Sequence, residues 1–347
     1  MHSAWAHDNA ETIASAEWQA AWNGTGLPGW TDVLPTAEQG EKIPTRKAIE
    51  SAINATLQYL PGVVAGAADL TGNTGTKLKT ESAQSKTNPG GRQIYFGVRE
   101  HAMGASMVGM AAHGGILPVG GTFFVFLDYM RPPVRLSSLS RMKVCFVYTH
   151  DSVGVGEDGP THQPIEQLAT LRAIPGMHVI RPADANETAQ AWRDVVEHDG
   201  PSALVLSRQN VEVVTDGSAV AKGAGIVRDV TGQADLVLVG TGSEVAVCVH
   251  AAEALAERGV NARVVSMPSW DRFEQQDERT RTSVLPEGVP VLSVEAAVKF
   301  GWDRYADDSV SIERFGVSAP GNVVLEKLGI NVDHVVGRAQ ALLDRKG

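Results

Sequence analysis

Short hydrophobic runs alternate with amphipathic segments along most of the chain. Runs rich in β-branched residues, typical of buried strands, lie at 63–68, 94–96, 116–120, 144–147, 178–181, 203–206, 236–239, 262–266 and 289–295. Segments with apolar residues at helical spacing lie at 45–59, 102–113, 130–140, 166–173, 184–197, 245–258 and 332–343. Strands that alternate with helices favour parallel sheets covered by helices on both faces. The pattern therefore predicts an α/β protein with doubly wound domains.

Two breaks divide this pattern. Residues 1–40 hold four of the seven tryptophans, a predicted helix ending at Trp22 and several glycines and prolines, but no strand pattern. We interpret this segment as an arm that lies on another surface, because disordered tails seldom carry so many large aromatic side chains. A charged, weakly patterned stretch near 212–223 is the predicted domain boundary. We therefore expect an arm at 1–40 and domains at 41–215 and 216–347.

Composition narrows the class of protein. The chain has 347 residues and a formal net charge of -10, which argues against a broad nucleic-acid-binding surface. It has no apolar run long enough to span a bilayer, and its amino terminus lacks a signal-peptide pattern. We therefore expect a cytoplasmic protein without a membrane partner. Cys145 and Cys248 lie in apolar segments and are expected to be buried free thiols.

The segment 145–164 combines a buried strand with a glycine-rich polar loop. The loop contains His150, Asp151, Glu157, Asp158 and His162. Open α/β sheets bind ligands where strands end in such loops, because glycines let backbone amides approach while polar side chains reach hydroxyls and phosphates. We interpret the segment as a ligand-binding loop, and a solvated surface loop is the alternative. The density of ionisable groups favours a site.

Glu100 stands between a predicted strand and a helix rich in small residues. Its carboxylate either caps that helix or forms part of a site, and the small residues predict close packing within the sheet or across a subunit interface. Phe123, Phe126 and Tyr129 follow in the chain, and Phe124 is expected in the core. Such aromatic groups usually belong to a core, but this spacing also allows one edge to lie beside a flat heteroaromatic ligand.

Two arginines lie at the ends of predicted elements. Arg46 begins a helix that Thr45 is expected to cap, and Arg208 ends a strand. A guanidinium group matches the geometry of a phosphate, whereas an isolated arginine is usually a surface residue. The turn at 241–244 either holds a phosphate at a helix amino terminus or simply connects two elements, and one short turn favours the connection.

Together these stretches resemble the carboxyl-terminal two-thirds of a transketolase. The matching stretches are TRK at 45–47, AADL at 67–70, YFGVREHAMGA at 95–105, YTHDSVGVGEDGPTHQPIEQLA at 148–169, LSRQN at 206–210, TGSE at 241–244, VSMPSWD at 265–271, SVEA at 293–296 and RFGVSAP at 314–320. The long central block and LSRQN are the most specific. The resemblance implies a pyrimidine-binding domain with a parallel sheet, followed by a C-terminal domain with a mostly parallel sheet.

The resemblance also implies a cofactor. In transketolases a glutamate matching Glu100 hydrogen-bonds the aminopyrimidine ring of thiamine diphosphate, and the cofactor supplies the carbon nucleophile. Phe123, Phe126 and Tyr129 would line the pyrimidine pocket. The reaction implied is the transfer of a two-carbon ketol unit from a ketose phosphate to an aldose phosphate in the pentose phosphate pathway.

Substrate-binding residues follow from the same resemblance. His150 and Asp158 would face the sugar, and His162 would lie near the reacting carbons or the phosphate, as a second catalytic residue beside the glutamate. Arg46 and Arg208 would hold the sugar phosphate. A further position, Asn73, stands where a phosphate-binding serine is usual in the family, and its amide can still donate a hydrogen bond.

One part of the family pattern is absent from the sequence. Transketolases hold Mg²⁺ and the cofactor diphosphate with a Gly-Asp-Gly motif and downstream asparagines in an amino-terminal domain, and this chain contains no Gly-Asp-Gly. We therefore expect the metal to be bound mainly by that other domain, and the isolated chain to be inactive. The chain would then be one subunit of a split enzyme or a fragment of a longer one.

Two other functions stay open at this point. The chain could be a non-catalytic transketolase-like scaffold or regulator, although the full set of matching polar residues argues against this. It could instead be a subunit of another thiamine diphosphate enzyme, such as a 2-oxoacid dehydrogenase β-type chain, which the two phosphate-type arginines disfavour. Because transketolase sites span two subunits, we expect the small-residue helix at 102–112 to face a partner. The expected assembly is a homodimer, or a heterotetramer with an amino-terminal transketolase subunit.

Overall fold

The computed structural model of the chain describes residues 2–346. The helices are α1 (His2–Asp8), α2 (Ala10–Ala14), α3 (Ala16–Asn23), α4 (Thr45–Thr56), α5 (Glu100–His113), α6 (Leu127–Leu139), α7 (Gln167–Arg172), α8 (Ala185–Glu197), α9 (Ala219–Lys222), α10 (Glu244–Ala256), α11 (Trp270–Glu274), α12 (Glu278–Val284), α13 (Gly321–Lys327) and α14 (Val332–Lys346). The strands are β1 (Lys42–Ile43), β2 (Val63–Ala67), β3 (Gln93–Tyr95), β4 (Leu117–Phe123), β5 (Cys145–Thr149), β6 (His178–Ile180), β7 (Ser202–Leu206), β8 (Val211–Glu212), β9 (Gly225–Arg228), β10 (Leu236–Gly240), β11 (Ala262–Ser266), β12 (Val291–Val294) and β13 (Asp308–Val310). None of the helices within 2–346 is long and apolar enough to cross a membrane.

The first large sheet has six strands in the order β3-β2-β4-β5-β7-β6. Every neighbouring pair in it is parallel, as the alternating pattern predicted. Strand β5 is buried along its whole length, because it lies inside the sheet with layers packed on both faces. Parallel strands end at the same edge of a sheet, so the chain leaves β2, β4, β5 and β7 on one side of the molecule.

The second large sheet has five strands in the order β13-β12-β10-β11-β9. Its pairs are parallel except for β9, which runs antiparallel to β11. The predicted pair of α/β domains with parallel and mostly parallel sheets is thus confirmed. Strands β1 and β8 form a separate antiparallel pair. In the chain, β1 comes before the strands of the six-stranded sheet and β8 comes after them. The predicted thiols are also confirmed, since Cys145 and Cys248 are buried and unpaired.

The amino-terminal segment differs from the single predicted helix. It forms three short helices, and the last of them begins at a new cap, where Ser15 Oγ accepts a hydrogen bond of 3.2 Å from Trp18 N. Trp22 contacts Gly115, and Trp30 is buried in the core of the six-stranded sheet. Part of this segment therefore packs on the chain itself. Residues 1 and 347, the outermost ends of the predicted segments, lie outside the described residues.

A buried histidine joins the halves of the chain that carry the two large sheets. His178 Nε2 lies 2.6 Å from Asp194 Oδ2 of α8, and His178 Nδ1 lies 2.5 Å from Asp271 Oδ2 of α11. Burial lowers the pKa of His178, but hydrogen bonds and charges from Asp194 and Asp271 outweigh burial and raise that pKa above 6.5. The adjacent His198 has its pKa lowered to about 4, first by burial and then by the charge of His178. The charged form of His178 therefore stabilises the contact between the two sheets.

The free energy of unfolding is expected to fall as the pH rises above the pKa that His178 has in the unfolded chain. The unfolded chain loses this proton near 6.5, whereas the folded chain keeps it until the raised folded-state pKa is reached, so folding binds a proton in that window. Urea unfolding measured from about pH 6 to about pH 9 should show this slope, and His178→Gln should flatten it. His250→Gln, which removes an exposed histidine beside Glu212 and Glu253, serves as the control and should keep the slope. Equal slopes in the two variants would contradict the assignment.

Candidate active site

The carboxyl edge of the six-stranded sheet carries most of the residues that the sequence singled out. His150 follows β5 directly and has a φ of 63°, and Asp69 follows β2 with the same φ. Left-handed backbone is strained for residues with a Cβ and is maintained only where surrounding contacts impose it. Such strain often accompanies functional sites, and here it turns the chain sharply at the edge of the sheet.

Hydrogen bonds between the start of α4 and the end of β7 bring Arg46 and Arg208 together. Ser207 N donates a hydrogen bond of 2.7 Å to Thr45 Oγ1, and Thr45 N donates one of 3.1 Å to Ser207 Oγ. Thr45 is therefore not the predicted cap of α4; Pro44 occupies the cap position, and the threonine hydroxyl is used across the fold instead. Arg46 Nε lies 3.4 Å from the Arg208 carbonyl oxygen. Burial and then the charge of Arg208 lower the pKa of Arg46, whereas the charge of Glu50 raises it. The two guanidinium groups thus lie close together, and neither has an ion-pair partner among the described residues.

His150 lies under this positive charge. Its side chain is 4% exposed, its Nδ1 is 2.9 Å from Thr149 Oγ1, and its ring centroid is 3.7 Å from that of Phe123. Burial, followed by the charges of Arg46 and Arg208, lowers the pKa of His150 to about 3. The imidazole is therefore neutral at ordinary pH, and it can donate or accept a hydrogen bond without adding charge.

Three aromatic rings, which we call the aromatic row, continue from His150 along the edge. They belong to Phe123, Phe126 and Tyr129, with ring centroids 6.0 Å apart for the first pair and 5.8 Å apart for the second. The His162 ring meets Phe126 edge-on at 5.4 Å, so this histidine faces the row from the opposite loop. Tyr129 is 65% exposed, whereas Phe124 is fully buried, as the sequence predicted for this core position.

Glu100 is the first residue of α5, which packs closely on α6, the helix that follows the row. A Cβ added at Gly104 would lie 2.9 Å from Pro133 Cγ, so the small residue permits this close approach. The Glu100 side chain is 9% exposed, and within residues 2–346 its carboxylate has no hydrogen-bond or ion-pair partner. A buried carboxylate without a partner is suited to accept a hydrogen bond from a ligand.

Asp158 and Arg208 line one small cavity of about 210 Å³. Its remaining lining residues are Val155, Glu157, Pro320 and Gly321. Pro320 ends a loop from the second half of the chain, and Gly321 begins α13. This loop is held to the central loop because Gln163 Nε2 donates to Val317 O at 2.9 Å. Asn73, by contrast, is exposed in the turn after β2, and its side chain makes no hydrogen bond within the described part of the chain.

Two protein-family models match this chain, and together they cover most of its length. The transketolase pyrimidine-binding domain matches residues 41–213, and the transketolase-like C-terminal domain matches residues 223–331. The chain belongs to the transketolase family. A transketolase from Halalkalibacterium halodurans is 47% identical over 342 residues, covering 96% of this chain and 51% of that protein. A Nostoc transketolase is 48% identical over 340 residues, covering 95% of this chain and 51% of that protein.

Solved transketolase structures agree in fold. The transketolase from Leishmania mexicana superimposes with a TM-score of 0.94 at 43% identity, covering 99% of this chain and 52% of that one. A split-gene transketolase described as an inactive β4 tetramer has a TM-score of 0.73 at 25% identity, covering 88% of this chain and 100% of that one. The chain spans about half the length of the curated transketolases it matches, since it covers 51% of the first two.

Neither Asp151 of the central loop nor the turn at 241–244 is free to bind a ligand, because both contact Arg181. Asp151 does not face a ligand; it is 4% exposed and forms an ion pair with Arg181. The turn at 241–244 is a connection and not a phosphate site, because the Arg181 guanidinium fills its inner side. Within 2–346 no group of three or more histidine, cysteine, aspartate or glutamate side chains is arranged to hold a metal ion.

The contribution of the C-terminal transketolase domain to this edge was missed. RFGVSAP at 314–320 was recognised as a matching stretch but received no role. Its position beside Asp158 depends on contacts between residues more than 150 positions apart, such as the hydrogen bond from Gln163 to Val317. Local periodicity carries no signal for such pairs.

Proposed function

We propose that this chain provides the pyrimidine-binding and sugar-phosphate-binding parts of a transketolase active site. The reaction is the thiamine diphosphate-dependent transfer of a two-carbon ketol unit from a ketose phosphate to an aldose phosphate. The observation that supports it most is that the neighbouring arginines Arg46 and Arg208, neutral His150 and the aromatic row lie at one sheet edge. A phosphate monoester can bind the two guanidinium groups, and a flat heteroaromatic ring can pack against the aromatic row.

Glu100 and the aromatic row are the proposed ligands of the cofactor's pyrimidine ring. The unpartnered Glu100 carboxylate fits a ring that carries N–H donors, since it can accept a hydrogen bond that the chain itself does not supply. Phe123, Phe126 and Tyr129 offer apolar edges to a flat ring. Thiamine diphosphate, when bound, supplies the carbon nucleophile of ketol transfer.

The charged and polar groups are assigned to the sugar phosphate. Arg46 and Arg208 donate hydrogen bonds to the phosphate, and Asn73 donates a further one from the turn after β2. His150 is neutral because burial and the two guanidinium groups disfavour its protonation. Its one N–H group donates a hydrogen bond to a sugar oxygen. Asp158 lines the same cavity as Arg208 and accepts from a sugar hydroxyl.

His162 is the proposed second catalytic residue. It faces the aromatic row from the opposite loop, and its Nδ1 lies 2.9 Å from Thr161 Oγ1. This contact fixes the orientation of the ring and leaves Nε2 to exchange a proton with the sugar oxygens near the reacting carbons.

The cofactor diphosphate and Mg²⁺ are assigned to the other half of a transketolase. The matched relatives are about twice as long as this chain, which covers 51% of each of the first two. We propose domain limits of 41–215 and 216–347, with 1–40 as an arm. The exposed face of α5 includes the small residues Ala102, Ala105, Ser106, Gly109 and Ala112. We propose that this face contacts a second subunit, in a homodimer or in a heterotetramer with a diphosphate-binding chain.

Reconstitution tests this function. The 347-residue chain, assayed with thiamine diphosphate and Mg²⁺, is expected to show no ketol transfer by itself. Addition of the half of the Halalkalibacterium halodurans transketolase that this chain does not match is expected to give ketol transfer from a ketose phosphate to an aldose phosphate. The matched control is the same mixture with Glu100→Gln.

Each other outcome contradicts part of the proposal. Turnover by the chain alone would contradict its dependence on a second half. If the mixture forms a complex without turnover, a transketolase-like scaffold is the better description. Decarboxylation of a 2-oxoacid in place of sugar phosphate turnover would identify a different thiamine diphosphate enzyme.

A further inference from the structure

A buried ion network joins the second half of the chain to the site. Arg181, which follows β6, has a side chain that is 1% exposed, and its Nε and Nη2 lie 3.0 Å and 2.8 Å from Asp151 Oδ2. Arg181 Nη1 donates to Thr241 O at 2.9 Å and to Thr241 Oγ1 at 2.8 Å, and it also contacts the Glu244 carboxylate. One guanidinium group therefore binds the central loop on one side and the turn at 241–244 on the other.

The first branch of this network ends beside His150. Asp151 is the next residue in the chain, and His150 itself has the strained φ of 63°. A strained residue needs contacts that hold its neighbours in place. Among the residues described, Arg181 is the ion-pair partner of the Asp151 carboxylate. The Arg181–Asp151 pair thus fixes the peptide that sets the direction of the His150 ring.

The second branch ends beside Arg208. Glu244 accepts a hydrogen bond of 2.6 Å from Ser243 Oγ, and Ser243 Oγ accepts one of 3.2 Å from Gln209 Nε2. Gln209 is the next residue after Arg208. The Gln209 amide also packs on the central loop, since a Cβ added at Gly154 would lie 2.8 Å from Gln209 Oε1. The two branches therefore reach the residues next to His150 and Arg208.

The turn at 241–244 is shaped to enclose the guanidinium group. Gly242 has a φ of 55°, and a Cβ at this position would lie 2.6 Å from Arg181 Cζ. Burial lowers the pKa of Arg181, but the charges of Glu244 and Asp151 outweigh it and raise that pKa, so the group stays charged. Buried ion pairs contribute little net stability after desolvation, so their geometry is more informative than their energy.

We propose that Arg181 is a positioning residue that sets the affinity of the site for phosphate monoesters by holding His150 and Arg208 through Asp151, Glu244, Ser243 and Gln209. This assigns to the second half of the chain a role in substrate binding. The inference rests on the proposed function only in taking the anion to be a sugar phosphate; the binding of phosphate itself is measured separately.

Phosphate titration of the 347-residue chain tests the proposal. Inorganic phosphate is added while the ring resonances of His150 and His162 are followed by NMR. Arg181→Lys keeps the charge but loses the fork that spans Asp151 and Glu244, and it is expected to weaken phosphate binding about tenfold. The control is Arg172→Lys, which alters a second, largely buried pair in the same network, with Arg172 Nη1 and Nη2 2.9 Å and 2.8 Å from Glu295 oxygens. Arg172 has no contact with Asp151, so we expect a change within about twofold.

A milder variant covers the case in which Arg181→Lys does not fold. Ser243→Ala removes only the hydroxyl group between Gln209 and Glu244, and it is expected to weaken phosphate binding about threefold through the Arg208 branch alone. In the reconstituted enzyme, Arg181→Lys should raise the KM for the sugar phosphate more than it lowers kcat, and Arg172→Lys should not. A purely structural role would change both variants alike.

The outcomes separate this inference from the proposed function. Equal phosphate affinities for Arg181→Lys and Arg172→Lys, or unchanged affinities in Arg181→Lys and Ser243→Ala, would overturn it. Failure of the unsubstituted chain to bind phosphate saturably would also overturn it. If phosphate binding depends on Arg181 as expected but the reconstituted mixture transfers no ketol unit, the proposed function fails and the positioning role stands.

Discussion

Replacing Glu100 with glutamine is expected to lower kcat for ketol transfer about a thousandfold in the reconstituted enzyme. Glutamine keeps the size and shape of the side chain but cannot carry the negative charge that strengthens a hydrogen bond to the cofactor ring. The carboxylate has no partner within the described chain, so its loss leaves no internal group unsatisfied. The free energy of unfolding should therefore change little while the rate falls.

The control for this variant is Glu278→Gln. Glu278 also lies in the first turn of a helix, α12, but it is exposed and belongs to the second half of the chain. This change should leave both kcat and stability unaltered. Equal rates for the Glu100 and Glu278 variants, measured at saturating cofactor, would show that Glu100 only caps α5. Loss of folding in the Glu100 variant would also contradict the assignment, because it would show that the carboxylate has a structural role.

Replacing Arg208 with glutamine is expected to raise the KM for phosphorylated sugars by about 10- to 100-fold, because a hydrogen bond to a charged group contributes about 1.5–3 kcal/mol. The charge of Arg208 is among the causes that lower the pKa of His150, so that pKa should rise in the variant. Steady-state kinetics and NMR titration of His150 measure the two effects in one protein. A ketol donor without a phosphate should show almost no change in KM.

Arg193→Gln is the control for the arginine variant. Arg193 lies on the exposed surface of α8 and pairs there with Glu197, four residues further along the helix. Exposed pairs of this kind contribute little, so KM and stability should stay at their unsubstituted values. If the Arg208 variant raised KM equally for donors with and without phosphate, the arginine would be recognising some other part of the substrate.

Much of the fold could be predicted because the relevant signals are local. Strand β5 is a continuous apolar run and helix α8 has clear periodicity, and Asp184 caps α8 by accepting hydrogen bonds from Asn186 N and Glu187 N. The β1–β8 pair was missed because two-residue strands have no measurable period. The three short amino-terminal helices were read as one, because Ser15 was not recognised as a new cap.

The site was predictable in its members but not in its connections. Arg46 and Arg208 were both singled out, yet nothing local shows that Thr45 and Ser207 fasten their elements together. The polar neighbours of Asp151 predict an acid of a ligand-binding loop. Its true partner, Arg181, lies 30 residues away and is hidden by burial. Pairings between distant charges depend on packing, which short-range patterns do not encode.

The cavity at Asp158 and Arg208 has walls from both halves of the chain, because Pro320 and Gly321 close it from the side of the second half. Hybrid enzymes made by exchanging the second half between relatives would therefore inherit every charged ligand group unchanged but a different pocket outline. On the proposed function, we expect selectivity among sugars of different length to change on recombination at the domain junction, without any substitution in the proposed catalytic groups.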